Sequence, residues 1–507
     1  SGAIHIHDLT NGVIGYCAGW SLKNLLLMGF GGVPGKVDSK PGKHMGTVVH
    51  QMVNYIGCLQ MEFAGAQAFS SVDTLLAPFV KADNMTYKEV KQCMQQLVFS
   101  LNIPSRWGSQ YPFSNLTFDW TVPEDMKNKK AIVGGKEMTF TYGECQKEMD
   151  MINKAFIEVM TEGDAKGRIF TFPIPTYNVT RDFDWESENA ELLFDMTAKY
   201  GIPYFQNFIN SELNPGDVRS MCCRLQMDMR ELRQKGGGLF GAVEMTGSIG
   251  VVTLNMGRIG YLSKTKEEYF ERIGRLMDIA RDSLELKRKM VQRNMDRGLM
   301  PFSKRYLGTL QNHFNTIGLN GMNESLKNFF GPEVNMSTKK GIKFAQEVLD
   351  FMRDRLMKYQ EETGNIYNLE ATPAEGVSYR LAKIDKERYP DIIPAGKDEP
   401  YYTNSTQLPV DYTEDIFEAL ELQDSLQTRY TGGTVLHGFL GEAVTDVETC
   451  KNLVKRIAYN FKLPYFTITP TFSVCPKHGY IAGRHEECPY EESDVEEEYG
   501  EVSSQLR

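Results

Sequence analysis

The 507-residue chain has no apolar run near the roughly 20 residues that crossing a bilayer requires. No segment joins a charged start to a short apolar stretch as a secretion signal does. Both absences point to a cytoplasmic protein. A basic excess is missing too: 66 Asp and Glu against 56 Lys and Arg leave a formal net charge of −10. A surface that neutralises nucleic-acid phosphates needs a concentrated surplus of cations, so the balance argues against direct nucleic-acid binding and leaves free nucleotides as candidate ligands. The nine cysteines are odd in number and irregular in spacing. They do not make an extracellular disulfide framework, and reduced thiols are the expected state. No internal repeat recurs at a fixed period. An initiator Met is absent: Ser1 opens inside the patterned stretch SGAIHIHDLT, and the expectation is that something upstream has been removed.

What is present is ordinary globular material, 41% hydrophobic and 24% charged, enough for a large core. In residues 268–296 Phe270, Ile273, Leu276, Met277, Ala280 and Leu284 recur at helical spacing. RIFTFPIPTYNVT (168–180), IGVVTLNM (249–256) and LPYFTITPTFSV (463–474) are apolar runs bounded by Gly or Pro, each expected to be a buried strand. Strands alternating with amphipathic helices predict an α/β body with much parallel pairing. Residues 232–248 form a Gly-rich loop. Residues 491–507 are acidic and poor in apolar side chains, so they are expected to be solvated or disordered.

RSMCCRLQMD (219–228) places Cys222 and Cys223 side by side. Two buried, inert thiols would be the ordinary reading of such a pair. The context argues for chemistry: Arg224 follows, then the Gly-rich loop, and a third thiol, Cys17, lies in the punctuated segment NGVIGYCAGWSLKNLLLMGF. Small residues in TGG (431–433) and TPTFS (469–473), beside expected helix starts, could hold phosphates through free N–H groups.

Eight stretches in order carry a resemblance: HIHDL (5–9), GYCAGWSL (15–22), CCRL (222–225), TGSIGVVTLNMGRIGY (246–261), ATPAEGVSYRLAKID (371–385), YYTNSTQLPV (401–410), YTGGTVLHGFLGE (430–442) and ITPTFSVCPKHGY (468–480). Together they resemble the anaerobic, class III ribonucleoside-triphosphate reductases, which are glycyl-radical enzymes. The resemblance implies a ten-stranded α/β barrel over 1–470 with a central finger loop, and a partial zinc-binding tail over 471–507. It implies that Cys223, the cysteine directly before Arg, becomes a thiyl radical that takes hydrogen from C3′ of a ribose, with Cys222 as its neighbour. S–H and ribose C–H bonds are close enough in strength for this transfer to be reversible. Cys17 matches the thiol that works on the opposite ribose face, at C2′.

By the same resemblance, the nucleotide's phosphates fall to Thr431, Gly432, Gly433, Thr469, Thr471 and Ser473, and Asn404 and Ser405 are candidates for ribose or phosphate. Ser248 stands where formate-dependent members have Asn, which favours a thioredoxin- or glutaredoxin-type reductant over formate. The zinc set would be Cys475, His478, Cys488 and Glu491, the last in place of the usual Cys or His. The family's RVxGY radical loop and the ATP-binding regulatory region that precedes many barrels are not in these 507 residues. The expected partners are ribonucleoside triphosphates, dNTP and ATP effectors, a second copy of the chain, and a radical-SAM activase that uses S-adenosylmethionine and an iron–sulfur cluster. Competing readings are a pyruvate formate-lyase-like enzyme, which also uses adjacent cysteines, and a degenerate nucleotide-binding paralogue without its own radical site.

Overall fold

The computed structural model describes residues 2–106, 110–211, 245–372, 374–396, 399–409, 412–440, 444, 446–475, 479–482, 485, 487–488 and 503–504. The strands in the first part of the chain are β1 (Ile4–Ile6), β2 (Cys17–Trp20), β3 (Gln67–Phe69), β4 (Ser114–Phe118), the outlying hairpin β5 (Lys130–Val133) and β6 (Lys136–Thr141), β7 (Ile174–Val179), within the stretch expected at 168–180, and β8 (Tyr204–Asn207). The second part contributes β9 (Gly247–Asn255), β10 (His313–Asn320), β11 (Tyr367–Glu370), β12 (Leu436–Phe439) and β13 (Tyr465–Thr469).

Among the described residues, ten of these strands follow one path, β11-β10-β9-β2-β3-β4-β7-β8-β13-β12, with β1 as an extra strand on β9. Pairing is parallel from β2 through β8, and again along β9, β10 and β11 and between β12 and β13. The seams β2–β9 and β8–β13 are antiparallel. Two five-stranded parallel halves therefore run in opposite directions, which is the ten-stranded α/β barrel expected from the sequence.

The ring is closed between β11 and β12 by backbone bonds. The amides of Thr431 and Gly432 donate to the Leu369 carbonyl at 3.1 and 2.7 Å, and the Ala371 amide donates to the Gly433 carbonyl at 2.7 Å. Gly432 is required here by close approach: a Cβ at this position would lie 2.8 Å from Asn368 Nδ2 and 3.0 Å from the Leu369 carbonyl.

Period-two alternation divides the strand side chains between two environments. Val252, Leu254, Ile317, Leu319, Tyr367 and Leu369 pack outward against helices Lys266–Asp296 and Lys339–Thr363. Ala18, Trp20, Phe69, Leu116, Phe118, Tyr177, Val179, Phe205, Phe466 and Ile468 do the same against the helices of the other half. The intervening residues face the lumen, and many are polar: Asn115, Thr176, Tyr204, Thr316, Asn368, Glu370, His437 and Tyr465. Parallel strands covered by helices are normally apolar on both faces, so a buried polar face marks the interior of this barrel as a place for a ligand.

Two local expectations are corrected. LPYFTITPTFSV is two strands rather than one: β13 stops at Thr469, Pro470 has no N–H to continue a ladder, and β14 (Phe472–Cys475) starts a separate small sheet with β15 (Gly479–Ala482) and β16 (Ser503–Ser504). Neither TGG nor TPTFS opens a helix. The first leads into β12 and the second joins two strands, so no helix dipole is present at either. Of residues 491–507, Ser503 and Ser504 pair with Val474 and Ser473 of β14, in place of the solvated tail expected there; the others lie outside the described residues. Residues 212–244, with Cys222, Cys223 and most of the Gly-rich stretch, where a finger loop is expected, also lie outside them.

Candidate active site in the barrel lumen

Cys17 begins β2 and is fully buried. Its neighbours Ala18 and Trp20 belong to the outer core, whereas Cys17 clusters with Ala66, Ala68 and Tyr16 on the inner face. Across the β2–β9 seam its register partner is Ser248. Simple alternation from Val252 and Leu254 would turn Ser248 outward. A bulge prevents this: Phe314 pairs with Ser248 and Asn315 with Gly250, leaving Ile249 as the extra residue. The Ser248 hydroxyl thus turns inward, 2.8 Å from Thr316 Oγ1 and 3.0 Å from the Gly250 carbonyl. Two residues named far apart in the chain are in this way set opposite one another on the lumen wall.

His7, in the HIHDL stretch, extends the same wall. Its Nε2 lies 2.9 Å from Thr253 Oγ1 and its ring meets Tyr16 edge-on at 6.3 Å. Burial, reinforced by His5 beside it, lowers its pKa to about 3 and keeps the imidazole neutral. At the opposite seam, β8–β13, Thr176 Oγ1 and Tyr465 Oη are 2.5 Å apart, and Asn115 Nδ2 donates to the same threonine at 3.2 Å. Tyr204 stacks on Tyr465 at 5.5 Å and meets His437 edge-on at 6.0 Å.

The end of the barrel where β11 and β12 finish and β7 and β8 begin holds a cavity of about 970 Å³, at the large end of the range for small-molecule sites. Phe113, Phe172 and Tyr204 supply aromatic wall; Thr372, Ser378, Asn404, Ser405, Gln407 and His437 supply polar wall. Asn404 Oδ1 accepts from the Ala374 amide at 3.2 Å and from Ser378 Oγ at 3.1 Å, tying the YYTNST stretch to the start of helix Glu375–Arg388. Ser405 sits at φ 46° and is buried.

Around this end the Asn320 side-chain nitrogen, both amide atoms of Asn368 and the Thr372 hydroxyl are buried with no hydrogen-bond partner among the described residues. Buried polar atoms are normally satisfied, so these groups are free to bond a polar ligand, although unmet atoms such as Trp185 Nε1 also occur away from the cavity.

The other named residues are placed elsewhere. Thr431 and Gly432 use their amides to close the ring, and Thr431 Oγ1 accepts from the Leu369 amide at 2.9 Å, so these amides are not offered to phosphate. Thr471 Oγ1 donates to the Leu440 carbonyl at 2.7 Å, and Ser473 Oγ accepts from the His485 amide at 2.8 Å. Thr469 ends β13. The bond from His485 to Ser473 brings the segment carrying Cys488 beside β14, which ends at Cys475; the two thiols are donors of the type that tetrahedral zinc takes. His478 and Glu491 lie outside the described residues. Among the described residues, no group of three or more His, Cys, Asp or Glu is placed to hold a metal ion. Among them, no helix is long and apolar enough to cross a membrane.

Sequence reading did not assign roles to His7, Asn320, Asn368, Tyr204, His437 or Tyr465. The signal that could have found them is alternation: each is a polar or aromatic residue at a lumen-facing position within or beside an otherwise apolar strand.

A ten-stranded barrel with a polar lumen and an inward thiol beside one seam is the architecture that the sequence resemblance implies. The family model described as anaerobic ribonucleoside-triphosphate reductase matches residues 1–497, and the chain belongs to that family. An anaerobic ribonucleoside-triphosphate reductase of enterobacteria phage T4 is 23% identical over 98% of this chain and 83% of its own length. Among solved structures, an anaerobic ribonucleotide reductase superposes with a TM-score of 0.77 at 22% identity, covering 96% of this chain and 75% of that one. The Thermotoga maritima anaerobic ribonucleotide reductase in complex with dATP and CTP superposes with a TM-score of 0.75 at 21% identity, over 96% and 79% of the two chains. The chain is an oxidoreductase, an anaerobic reductase of ribonucleoside triphosphates, and the pyruvate formate-lyase reading is not favoured.

Proposed function

We propose that the nucleotide lies in the 970 Å³ cavity with its ribose toward the lumen, and that two thiols work on opposite faces of that ribose. Cys223, on the finger loop, is the hydrogen-atom carrier: as a thiyl it takes hydrogen from C3′ and returns it at the end of turnover, with Cys222 as a packing neighbour. Cys17 acts at C2′, giving its proton to the departing hydroxyl, which leaves as water, and its sulfur then supplies reducing electrons by joining a second thiol in a disulfide that a thioredoxin- or glutaredoxin-type dithiol reduces again. The observation that carries this reading is the inward pairing of Cys17 with Ser248 in a lumen lined by buried polar groups that lack partners.

Asn404 and Ser405 hold the ribose or phosphate side, and the aromatic wall of Phe113, Phe172 and Tyr204 suits a base. Ser248, engaged with Thr316 and with backbone carbonyls, favours a thioredoxin- or glutaredoxin-type reductant over formate. In the same reading a glycyl radical supplies the oxidising equivalent to Cys223 and is installed by a radical-SAM activase with S-adenosylmethionine and an iron–sulfur cluster. The chain works as a cytoplasmic homodimer under dNTP and ATP control, making deoxynucleotides for DNA synthesis; the T. maritima complex with dATP and CTP supports effector and substrate binding. The barrel ends near residue 470, and Cys475 and Cys488, with His478 and Glu491, would hold a structural zinc in the segment that follows.

The test is the pair of thiol variants in activated enzyme. Cys223→Ser is expected to abolish turnover and retain nucleotide binding, while Cys222→Ser is much milder. Cys17→Ser is expected to stop dNTP formation. The reverse ranking of Cys222 and Cys223, or full dNTP formation by Cys17→Ser, refutes the assignment.

A further inference from the structure

On β11, Tyr367 and Leu369 pack outward with the covering helices. Asn368 between them faces the lumen, where it is 1% exposed. Register sets its place on the wall. Asn368 is paired with Thr316 of β10, Thr316 Oγ1 lies 2.8 Å from Ser248 Oγ, and Ser248 is the register partner of Cys17. A register pair, a hydrogen bond and a second register pair thus lead around the wall from Asn368 to the thiol. Thr372, Asn404 and Ser405 of the cavity wall lie beyond it, at the end of the barrel where β11 finishes.

Both Oδ1 and Nδ2 of Asn368 are buried, and neither has a hydrogen-bond partner among the described residues. The neighbours show why the fold supplies none. On one side Thr316 is engaged with Ser248. On the other stands Gly432, where a Cβ would lie 2.8 Å from Asn368 Nδ2 and 3.1 Å from its Cγ, and the Thr431 hydroxyl next to it accepts from the Leu369 amide. An unmet atom alone is no sign of a ligand, as Trp185 Nε1 shows. Asn368 offers more: an unmet donor and an unmet acceptor side by side on one planar amide, on the wall that carries the lumen thiol. A vicinal diol meets both at once, one hydroxyl donating to Oδ1 while its neighbour accepts from Nδ2. Each hydroxyl is both donor and acceptor, so either orientation of the amide serves. Phosphate oxygens would meet the NH2 group alone. A base edge can also pair a donor with an acceptor, but the aromatic wall that suits a base is at the cavity, whereas Asn368 is placed with the thiol that works on the ribose.

We propose that Asn368 binds the 2′,3′-diol of the substrate ribose and is the residue by which the barrel distinguishes a ribonucleotide from its deoxy product. The inference deepens the reading of the lumen as the ribose site and rests on it. Departure of the 2′-hydroxyl as water removes one of the two bonds to the amide. The product is then held more weakly than the substrate, by about threefold to tenfold for one hydrogen bond.

The test is competition for the CTP site in the full chain without turnover. Equilibrium dialysis with radiolabelled CTP, in excess dATP to keep effector sites filled, gives the affinity of CTP and of unlabelled dCTP and 3′-deoxy-CTP as its competitors. Wild type is expected to bind each deoxy analogue about threefold to tenfold more weakly than CTP. Asn368→Leu, similar in size and without polar side-chain atoms, is expected to weaken CTP by about tenfold and to bring the three affinities together. A packing role alone would weaken all three alike and keep their ratios. If the leucine variant does not fold, Asn368→Ala carries the same comparison. Ratios unchanged in the variant, or a wild type that does not discriminate against either deoxy analogue, overturn the proposal. Unchanged ratios together with weakened CTP binding in Asn404→Ala confine the failure to Asn368, whereas CTP affinity untouched by either substitution refutes the nucleotide reading of the cavity as well.

Discussion

Asp73→Asn is a demanding test of the fold because the structure makes opposing demands on this carboxylate. Asp73 is fully buried in the first turn of helix Val72–Ala82. Its Oδ1 accepts from the Thr74 and Asp119 amides at 3.0 and 2.9 Å, and its Oδ2 accepts from the Trp120 amide and Asn153 Nδ2 at 2.9 and 3.0 Å. Burial, and then the charge of nearby Asp119, push its pKa well up, while these hydrogen bonds pull it down. Asparagine replaces one acceptor oxygen with an NH2 group, so two buried donors lose their acceptor at about 1–3 kcal/mol each. Above the pH at which the folded carboxyl ionises, the loss is partly offset by removal of a buried charge.

The sign of the pH dependence follows from the raised value. Below the unfolded carboxyl's pKa near 3.8 Asp73 is protonated in both states. As pH rises above that, the unfolded chain releases its proton first, so the wild type loses stability until the folded group also ionises. Asp73→Asn has no such loss. Its destabilisation is expected to be about 3 kcal/mol near pH 5 and smaller by at least about 1 kcal/mol near pH 8, since a tenfold difference in proton affinity between the folded and unfolded chain is worth about 1.4 kcal/mol. Urea unfolding followed by circular dichroism at the two pH values measures both. A destabilisation that is equal at the two, or larger at the higher pH, would refute the raised carboxyl and the reasoning with it.

Two further outcomes are expected. Asn404→Ala leaves the Ala374 amide and the Ser378 hydroxyl without the acceptor they share, and binding of CTP, measured by calorimetry, should weaken about tenfold, the effect of roughly 1.4 kcal/mol; an unchanged Kd would take Asn404 out of the nucleotide site. Gly432→Ala forces a Cβ to within 2.8 Å of Asn368 Nδ2, and overpacking of this kind costs about 1–3 kcal/mol. Hydrogen exchange at the Leu369 and Ala371 amides should quicken selectively, whereas uniform exchange across the barrel would show that the closure is not where the strain falls.

Much of the protein was legible in one dimension. Composition and charge describe a large globular body with an acidic balance, because those properties sum over residues wherever they lie. The helix now bounded at Lys266–Asp296 and the strand at Gly247–Asn255 follow from the spacing of their own apolar residues, a local property of the chain. Cys17 and Ser248 were identifiable as residues because the stretches around them are distinctive.

Only the tertiary structure decided how these parts meet. Alternation would have turned Ser248 outward, and the bulge at Ile249 that turns it toward Cys17 is a mismatch between β9 and β10, visible only when both strands are paired. TGG reads in sequence as a phosphate turn. Its amides close the barrel because Leu369, over sixty residues earlier, presents its carbonyl there. Among the described residues, Gly250 lies where β9 has no partner between β1 and β2, and Lys287 from a separate helix packs against the position that a side chain there would take. Each of these depends on register and on contacts between segments remote in the chain. The local sequence determines which side chains are available and which elements they form, while the pairing of strands decides which of those side chains face one another across the lumen.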